Sequence, residues 1–252
     1  MSDASPPVPR AQVSCQSCSL SRLCLPASLE DDEIAELDNI VRRNRPLHKG
    51  DYLFRAEDPM QHVFALRSGA LKTYLLDKDG KEQITGFILP GEMLGLDAIG
   101  SQRFRGYAMA LETSLACTIA LPQLEELSGR IPSLRHQLLQ ILSHGIHSEH
   151  QHIGHSRERA EQRLATFLLG LSARYRQRGL SPNNFILPMT RSEIGNYLDL
   201  TVETVSRLFT RYVQSGLIEC QGREVRLLDR GALCRLGGLH EDEGLRWAAA
   251  ES

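Results

Sequence analysis

No stretch of this 252-residue chain approaches the ~20 consecutive apolar residues that span a bilayer. The first residues, MSDASPPVPRAQ, also lack the charged-then-apolar layout of a signal peptide, so a cytoplasmic protein with no membrane contact is expected. A reducing compartment disfavours structural disulfides, which leaves the six cysteines to bind metal, to do redox chemistry or to pack. Lysine is missing altogether from residues 156–235, where 13 arginines stand against 8 acidic residues, a net +5. Residues 1–155 run the other way, with 15 Lys and Arg against 19 Asp and Glu. A cationic segment behind an acidic one suggests a nucleic-acid face joined to a different module. The 41% hydrophobic and 24% charged content is ordinary for a soluble protein, long enough for one large or two modest domains.

Half of the cysteines stand in SCQSCSLSRLCLP (14–26), a stretch too polar and too short to pack a core. Cys15, Cys18 and Cys24 make C-x2-C-x5-C, and one more thiolate would complete a four-coordinate soft site. Iron–sulfur clusters take four Cys thiolates, whereas structural zinc usually shows paired C-x2-C units; the spacing alone separates them poorly. Candidates for the fourth ligand are Cys117, Cys220 and Cys234. No βαβ pattern surrounds the C-x-x-C, and a third nearby cysteine would compete, which argues against a thioredoxin-like enzyme.

LEDDEIAELDNIV (29–41) sets Ile34, Leu37, Ile40 and Val41 at helical spacing. From Pro46 to Pro122 the texture changes to short β-branched and aromatic runs punctuated by Ser68-Gly69, Asp79-Gly80 and Pro90-Gly91. That pattern predicts a small sandwich or jelly roll. PSLRHQLLQILSHGIHSEHQHIGH (132–155) then reads as a long helix. At about 100° per residue, Leu138, Leu142, Ile146 and Ile153 fall on one narrow stripe, which suits a seam between two helices. Glu149 stands near the centre of the stripe, where a carboxylate is unexpected. His144, His147, His150, His152 and His155 scatter over the flank and far side, without a chelating face. A further helical pattern over 157–178 places Leu164, Phe167, Leu168 and Leu171 on one side.

MTRSEIGNYLDLTVETVSRLFTRYVQSGLIECQGREVRLLD (189–229) is the most specific stretch. Thr190 and Glu193 have capping-box spacing, so a helix begins at Arg191. Asp199-Leu200-Thr201 makes a short break, and Thr201 can cap a second helix from Val202 to about Val213. Val205, Leu208, Phe209 and Tyr212 form its inner face, while Glu203, Ser206 and Arg207 converge on the outer one. Such a pair is a helix-turn-helix, whose second helix enters the major groove of double-stranded DNA. Arg pairs bidentately with guanine, Glu accepts from cytosine N4, and Ser serves either base. Residues 217–228 add a hairpin wing. A homodimer on a palindromic site follows, with the 132–155 seam pairing the copies.

This order of β-roll, long helix and winged helix-turn-helix resembles the CRP/FNR superfamily of bacterial transcription regulators, from about Cys15 to Gly237. The Glu-x-x-Ser-Arg of TRSEIGNYLDLTVETVSRL looks like the FNR branch, and the N-terminal cysteines point to its anaerobic oxygen sensors. The resemblance implies an α+β chain with a Cys-rich arm over 1–28 and a cyclic-nucleotide-binding-like β-roll (jelly roll) over 29–130. A dimerisation helix over 131–155, a winged helix-turn-helix over 156–237 and a tail over 238–252 complete it. By the same resemblance, Cys15, Cys18, Cys24 and Cys117 hold an oxygen-labile [4Fe–4S] cluster, with molecular oxygen as the signal. The cluster would promote dimerisation and binding to an inverted repeat of TTGAT-type half-sites, controlling anaerobic metabolism. RNA polymerase contact is implied around Asp77 to Lys81, and no enzymatic activity. Cys220 and Cys234 are then packing residues.

Relatives that bind cyclic AMP use a G-E-x-x-G-E segment followed by Arg and Ser/Thr. GEMLGLDAIGSQRFRGY (91–107) has Leu96 where a ribose-binding Glu is wanted, and Arg105 is followed by Gly106-Tyr107, so cyclic AMP binding is not expected. A regulator of the same architecture that responds to thiol oxidation or nitric oxide, or is braced by zinc, is the alternative.

Overall fold

The first elements of the described chain are two 3-10 turns, Ser21–Leu23 and Leu25–Ser28, followed by helix α1 (Asp31–Ile40). The computed structural model describes residues 14–155 and 159–238, with the backbone helix alone over 148–155. Glu30 and Glu33 close a capping box at the start of α1, and acidic residues in its first turn suit the positive helix end. The sequence pattern carries this helix to Val41, but Val41 opens strand β1 (Val41–Arg43) opposite Ile119. A β-branched residue gains more from a sheet neighbour than from a last helical turn.

Strands β2 (Tyr52–Phe54), β3 (His62–Ser68), β4 (Leu71–Leu76), β5 (Glu82–Ile88), β6 (Met93–Leu94), β7 (Tyr107–Ala110) and β8 (Leu115–Ala120) complete the roll. They pair antiparallel in two sheets, β1-β8-β3-β6 and β2-β7-β4-β5. Leu66, Leu71, Ala108 and Ile119 fill the space between the sheets. Phe54, Phe64 and Phe104 stack in the same interior, the first and last with ring centroids 4.0 Å apart. Helix α2 (Leu121–Arg130) and the start of α3 (Pro132–His155) close the end of the roll, burying Leu124, Leu127, Ile131 and Leu134 in its core.

The second half comprises α4 (Ala160–Gln177), β9 (Asn184–Ile186), α5 (Arg191–Leu198), α6 (Val202–Gln214), β10 (Ile218–Gln221), β11 (Glu224–Leu227) and α7 (Arg230–Leu236). The chain thus has the expected α+β architecture of jelly roll, long helix and winged helix-turn-helix.

The two halves share a core. Tyr74, Ile84 and Phe87 on the outer face of β2-β7-β4-β5 are buried together with Leu164, Leu168, Ile194 and Leu198. Phe87 meets Phe167 at 6.1 Å and Tyr197 at 5.3 Å between ring centroids, and such pairs add about 0.5–1.5 kcal/mol each beyond burial. β5 is an edge strand, and Asn196 of α5 covers it as a strand would. The Ile84 N–H donates to Asn196 Oδ1 at 2.6 Å, and Asn196 Nδ2 donates to the Glu82 carbonyl at 2.7 Å. The nearly buried ammonium of Lys72 is paired with Glu82 at 2.7 Å and with Glu193 at 3.5 Å.

Candidate functional site

The cysteine arm coils in successive turns, the Cys18 N–H on the Cys15 carbonyl and the Ser21 N–H on that of Cys18. Buried Leu25 and Pro26 anchor its far end to the roll. Asp38 of α1 holds its near end. One Asp38 oxygen accepts the Cys15 N–H at 2.9 Å, the same oxygen takes the Arg43 guanidinium, and the Cys15 thiol is hydrogen-bonded to the carboxylate as well. Desolvation works against ionisation of Asp38, but these hydrogen bonds and Arg43 outweigh it and hold the carboxyl below its usual range. Gln137, buried on α3, ties the arm to the long helix. Its Oε1 accepts from Ser28 at 2.7 Å, and its Nε2 donates to the Cys24 carbonyl at 3.5 Å.

Cys117 stands in the middle of β8, between Arg43 of β1 and Ala65 of β3. Cys15, Cys24 and Cys117 all rest half-buried against the core of the roll. The thiols feel one another: Cys24 senses Cys117 and Cys18, Cys15 senses Cys24, and Cys117 senses Cys18. Burial is the largest cause throughout: it raises Cys15, with the hydrogen bond and charge of Asp38 next, raises Cys117 against the pull of Arg43 and Arg67, and pushes Cys24 up to about 12. Thiolates brought together on a desolvated patch repel until a cation joins them, and a coordinated thiol is deprotonated outright. Among the described residues, no group of three or more His, Cys, Asp or Glu is drawn in tightly enough to hold a single ion. The four thiols are neighbours that do not close on one point.

Cys220 and Cys234 lie in the other half, on β10 and α7. Cys220 accepts from Arg191 Nη2 at 2.9 Å, and Cys234 is buried.

The helix-turn-helix follows its local signals. Thr190 accepts from the Glu193 N–H and Glu193 from the Thr190 N–H, closing the capping box on α5. Asp199 takes the left-handed conformation in the turn. A Cβ on Gly195 would lie 2.7 Å from the Leu200 carbonyl, so the close approach of the two helices requires glycine there. Thr201 caps α6, accepting from the Thr204 N–H at 3.2 Å. Val205, Leu208, Phe209 and Tyr212 are buried, and Glu203, Ser206 and Arg207 form one exposed face. Arg207 is steadied by Thr204 Oγ1 at 3.2 Å, whereas Arg211 is turned back onto Glu161 of α4.

On α3 the stripe read from the sequence is divided. Leu138, with Ile141, leans on the core of its own chain, and Leu142 is half-buried. The open apolar positions are Ile146, 60% exposed, and Leu139, 59% exposed, which the stripe left out. Leu138 turns inward because the first turns of α3 close the roll. Glu149 and Ile153 fall where side chains lie outside the described residues.

The Crp-like helix-turn-helix domain pattern matches residues 162–236, and that of the cyclic nucleotide-binding domain matches 44–130. The transcriptional activator protein FnrA of Stutzerimonas stutzeri is 51% identical over 90% of this chain and 93% of its own length. The fumarate and nitrate reduction regulatory protein of Escherichia coli strain K12 is 45% identical over 90% and 91%. This chain belongs to the CRP/FNR family. A CRP/FNR protein is a DNA-binding transcription regulator and not an enzyme. FixK2 from Bradyrhizobium japonicum superposes with a TM-score of 0.72 at 28% identity, covering 78% of this chain and 97% of that structure.

For a CRP/FNR chain, the positions that sequence reasoning missed are Asp38, Arg43 and Gln137. Gln137 had a signal, as a polar residue on the inner side of an apolar helix turn. Asp38 and Arg43 had none, since their value depends on Cys15 folding back over α1.

Proposed function

We propose that this protein is an oxygen-responsive transcription activator in which Cys15, Cys18, Cys24 and Cys117 hold a [4Fe–4S] cluster. The observation that carries this reading is that Cys15, Cys18 and Cys24 of the arm lie near Cys117 of β8, where Asp38 of α1 and Gln137 of α3 hold the arm. The donor set fits: four soft thiolates, mostly apolar surroundings and two cationic neighbours, Arg43 and Arg67. When bound, the cluster supplies the oxygen-labile element that FNR-type sensing needs.

The chain's own residues carry the signal onward. Asp38 and Buried Leu25 fix the two ends of the arm, and Gln137 joins the Cys24 carbonyl to the first turns of α3. An ordered arm therefore steadies the helix whose exposed Leu139 and Ile146 pair with a second copy. Two copies present two faces of Glu203, Ser206 and Arg207 to the half-sites of a TTGAT-type inverted repeat. A lone copy reaches one half-site, and affinity falls. RNA polymerase contact through the Asp77–Lys81 turn, in control of anaerobic metabolism, belongs to the same reading. Cyclic AMP has no part in it: Phe54, Phe64 and Phe104 occupy the roll, and Arg105 is exposed.

Glu149 works against pairing, because two carboxylates approaching across a two-fold seam disfavour ionisation. Glu149→Ala is expected to keep the protein dimeric in air, and sedimentation that matches wild type would remove this role. The primary test is iron and acid-labile sulfide in anaerobically purified protein, with the visible spectrum followed in air. About four of each per chain, with absorption lost on exposure, is expected. Zinc without sulfide would leave the DNA-binding regulator and remove the oxygen sensor.

A further inference from the structure

Glu92 belongs to the GEMLG segment that invites comparison with nucleotide pockets, and the structure engages it elsewhere. Its Oε1 accepts from Arg174 Nε at 2.9 Å and Arg178 Nη2 at 2.6 Å. Its Oε2 accepts from Arg174 Nη2 at 2.6 Å and from the Leu89 N–H at 3.0 Å. Arg174 is in the last turns of α4, and Arg178 follows its end. The same guanidiniums reach the backbone of the turn, Arg174 Nη2 to the Phe87 carbonyl at 2.5 Å and Arg178 Nε to the Pro90 carbonyl at 2.7 Å. Desolvation opposes ionisation of Glu92, but the two arginines and these hydrogen bonds overcome it and keep the carboxyl below its usual range.

The opposite side of this turn meets the cysteine arm. Gly91 has φ +95°, and a Cβ there would lie 2.9 Å from Cβ of Leu23, the residue before Cys24. One turn, Pro90-Gly91-Glu92, therefore touches the arm on one side and the DNA-binding half on the other.

We infer that Glu92 is a positioning residue for the DNA-binding half, and that the Pro90–Glu92 turn passes the order of the cysteine arm to that half by direct contact. This rests on the proposed cluster-dependent DNA binding. A fork of guanidinium bonds fixes direction as well as distance, so it sets the angle of α4 on the roll. The Arg178 side chain is 4% exposed and that of Glu92 30%, so the pair is partly shielded from the screening that makes surface ion pairs weak. When the arm loses order, Leu23 leaves Gly91 and the turn loses one of its two walls. Pairing of α3 decides whether two reading helices come together; Glu92 decides the angle at which each is offered.

The test uses full-length, anaerobically loaded wild type, Glu92→Gln and, in case that variant folds poorly, Arg174→Gln. Binding is measured on inverted repeats whose half-sites are moved together or apart by one or two base pairs. The variants are expected to match wild type in iron, sulfide and sedimentation. They should bind the best operator about tenfold more weakly and discriminate less between spacings, because a loosened reading half reaches misplaced half-sites. Wild-type affinity and spacing preference in both variants would overturn the assignment, as would losses that follow cluster or dimer content. Amide exchange tests the arm's share. In wild type, exchange over 82–92 and α4 should rise when air removes the cluster, and in Glu92→Gln it should start high and change little. Identical wild-type exchange with and without cluster would overturn the relay. Wild-type protein that takes up no cluster would instead bring down the functional reading, and the iron and sulfide assay reports that before any DNA is added.

Discussion

The recognition helix and the cysteine arm draw their order from different distances along the chain. α6 has its cap at Thr201, and its buried face rests on neighbours such as Ile194, Leu198 and Ile218. The arm depends on Asp38, 23 positions from Cys15, and on Gln137, 113 positions from Cys24. A helix-turn-helix can therefore be specified by a short stretch of sequence. The proposed cysteine centre needs the roll to bring α1, β8 and α3 together first. The difference suits a regulator whose reading helices fold from local signals and whose proposed sensor takes shape only on the folded roll.

Loss of Cys117, the proposed distant ligand, is the hardest blow to that comparison. Cys117→Ser should reduce iron and sulfide to background, a larger effect than the ~10–100-fold weakening expected when an outer-shell partner of a metal site is lost. Cys220→Ser, on the wing, should load normally. If Cys117→Ser retains a full cluster, the arm closes its site locally and the contrast with α6 disappears.

Asp38→Asn tests the support behind a ligand. The amide keeps the size of the side chain but pairs poorly with Arg43 and with the Cys15 N–H together. Cluster affinity should fall about 10–100-fold, read as faster bleaching in air and lower iron occupancy. A bleaching rate equal to wild type would mean that Leu25, Pro26 and the Gln137 bonds hold the arm without Asp38.

Arg207→Ala acts at the other end. The loss should be about 1–3 kcal/mol and concentrated at one base pair, so that operators substituted there are no longer distinguished. Uniform weakening across all operators would make Arg207 a phosphate contact. Iron content should not change in either case.

What could be read from the sequence follows the same division. Thr190, Glu193 and Thr201 announce their roles because cap and partner are three residues apart, and the inner face of α6 repeats with the helix. The roll is legible as punctuation between strands. Helical spacing runs through Val41 because nothing local marks its sheet partner, Ile119, far along the chain. The periodicity that places Leu138 on a seam between copies serves packing on its own roll equally well. Glu92 was opaque: its arginine partners stand 82 and 86 positions away, and the motif around it points to another ligand.

The smallest expected effect sharpens the comparison most directly. Thr190→Ala removes the acceptor of the Glu193 N–H at 3.2 Å and opens the capping box of α5. Replacing such a cap costs about 0.5–2 kcal/mol, measurable as a lower urea midpoint with an unchanged slope. Glu193 also faces Lys72 of the roll at 3.5 Å, so part of the loss should appear at the junction of the halves. Iron and sulfide content should stay at wild-type levels, because no contact of the arm passes through Thr190. A variant that lost its proposed cluster along with its cap would mean that the capping box of α5 supports the arm, and the contrast drawn from contact distance would fail.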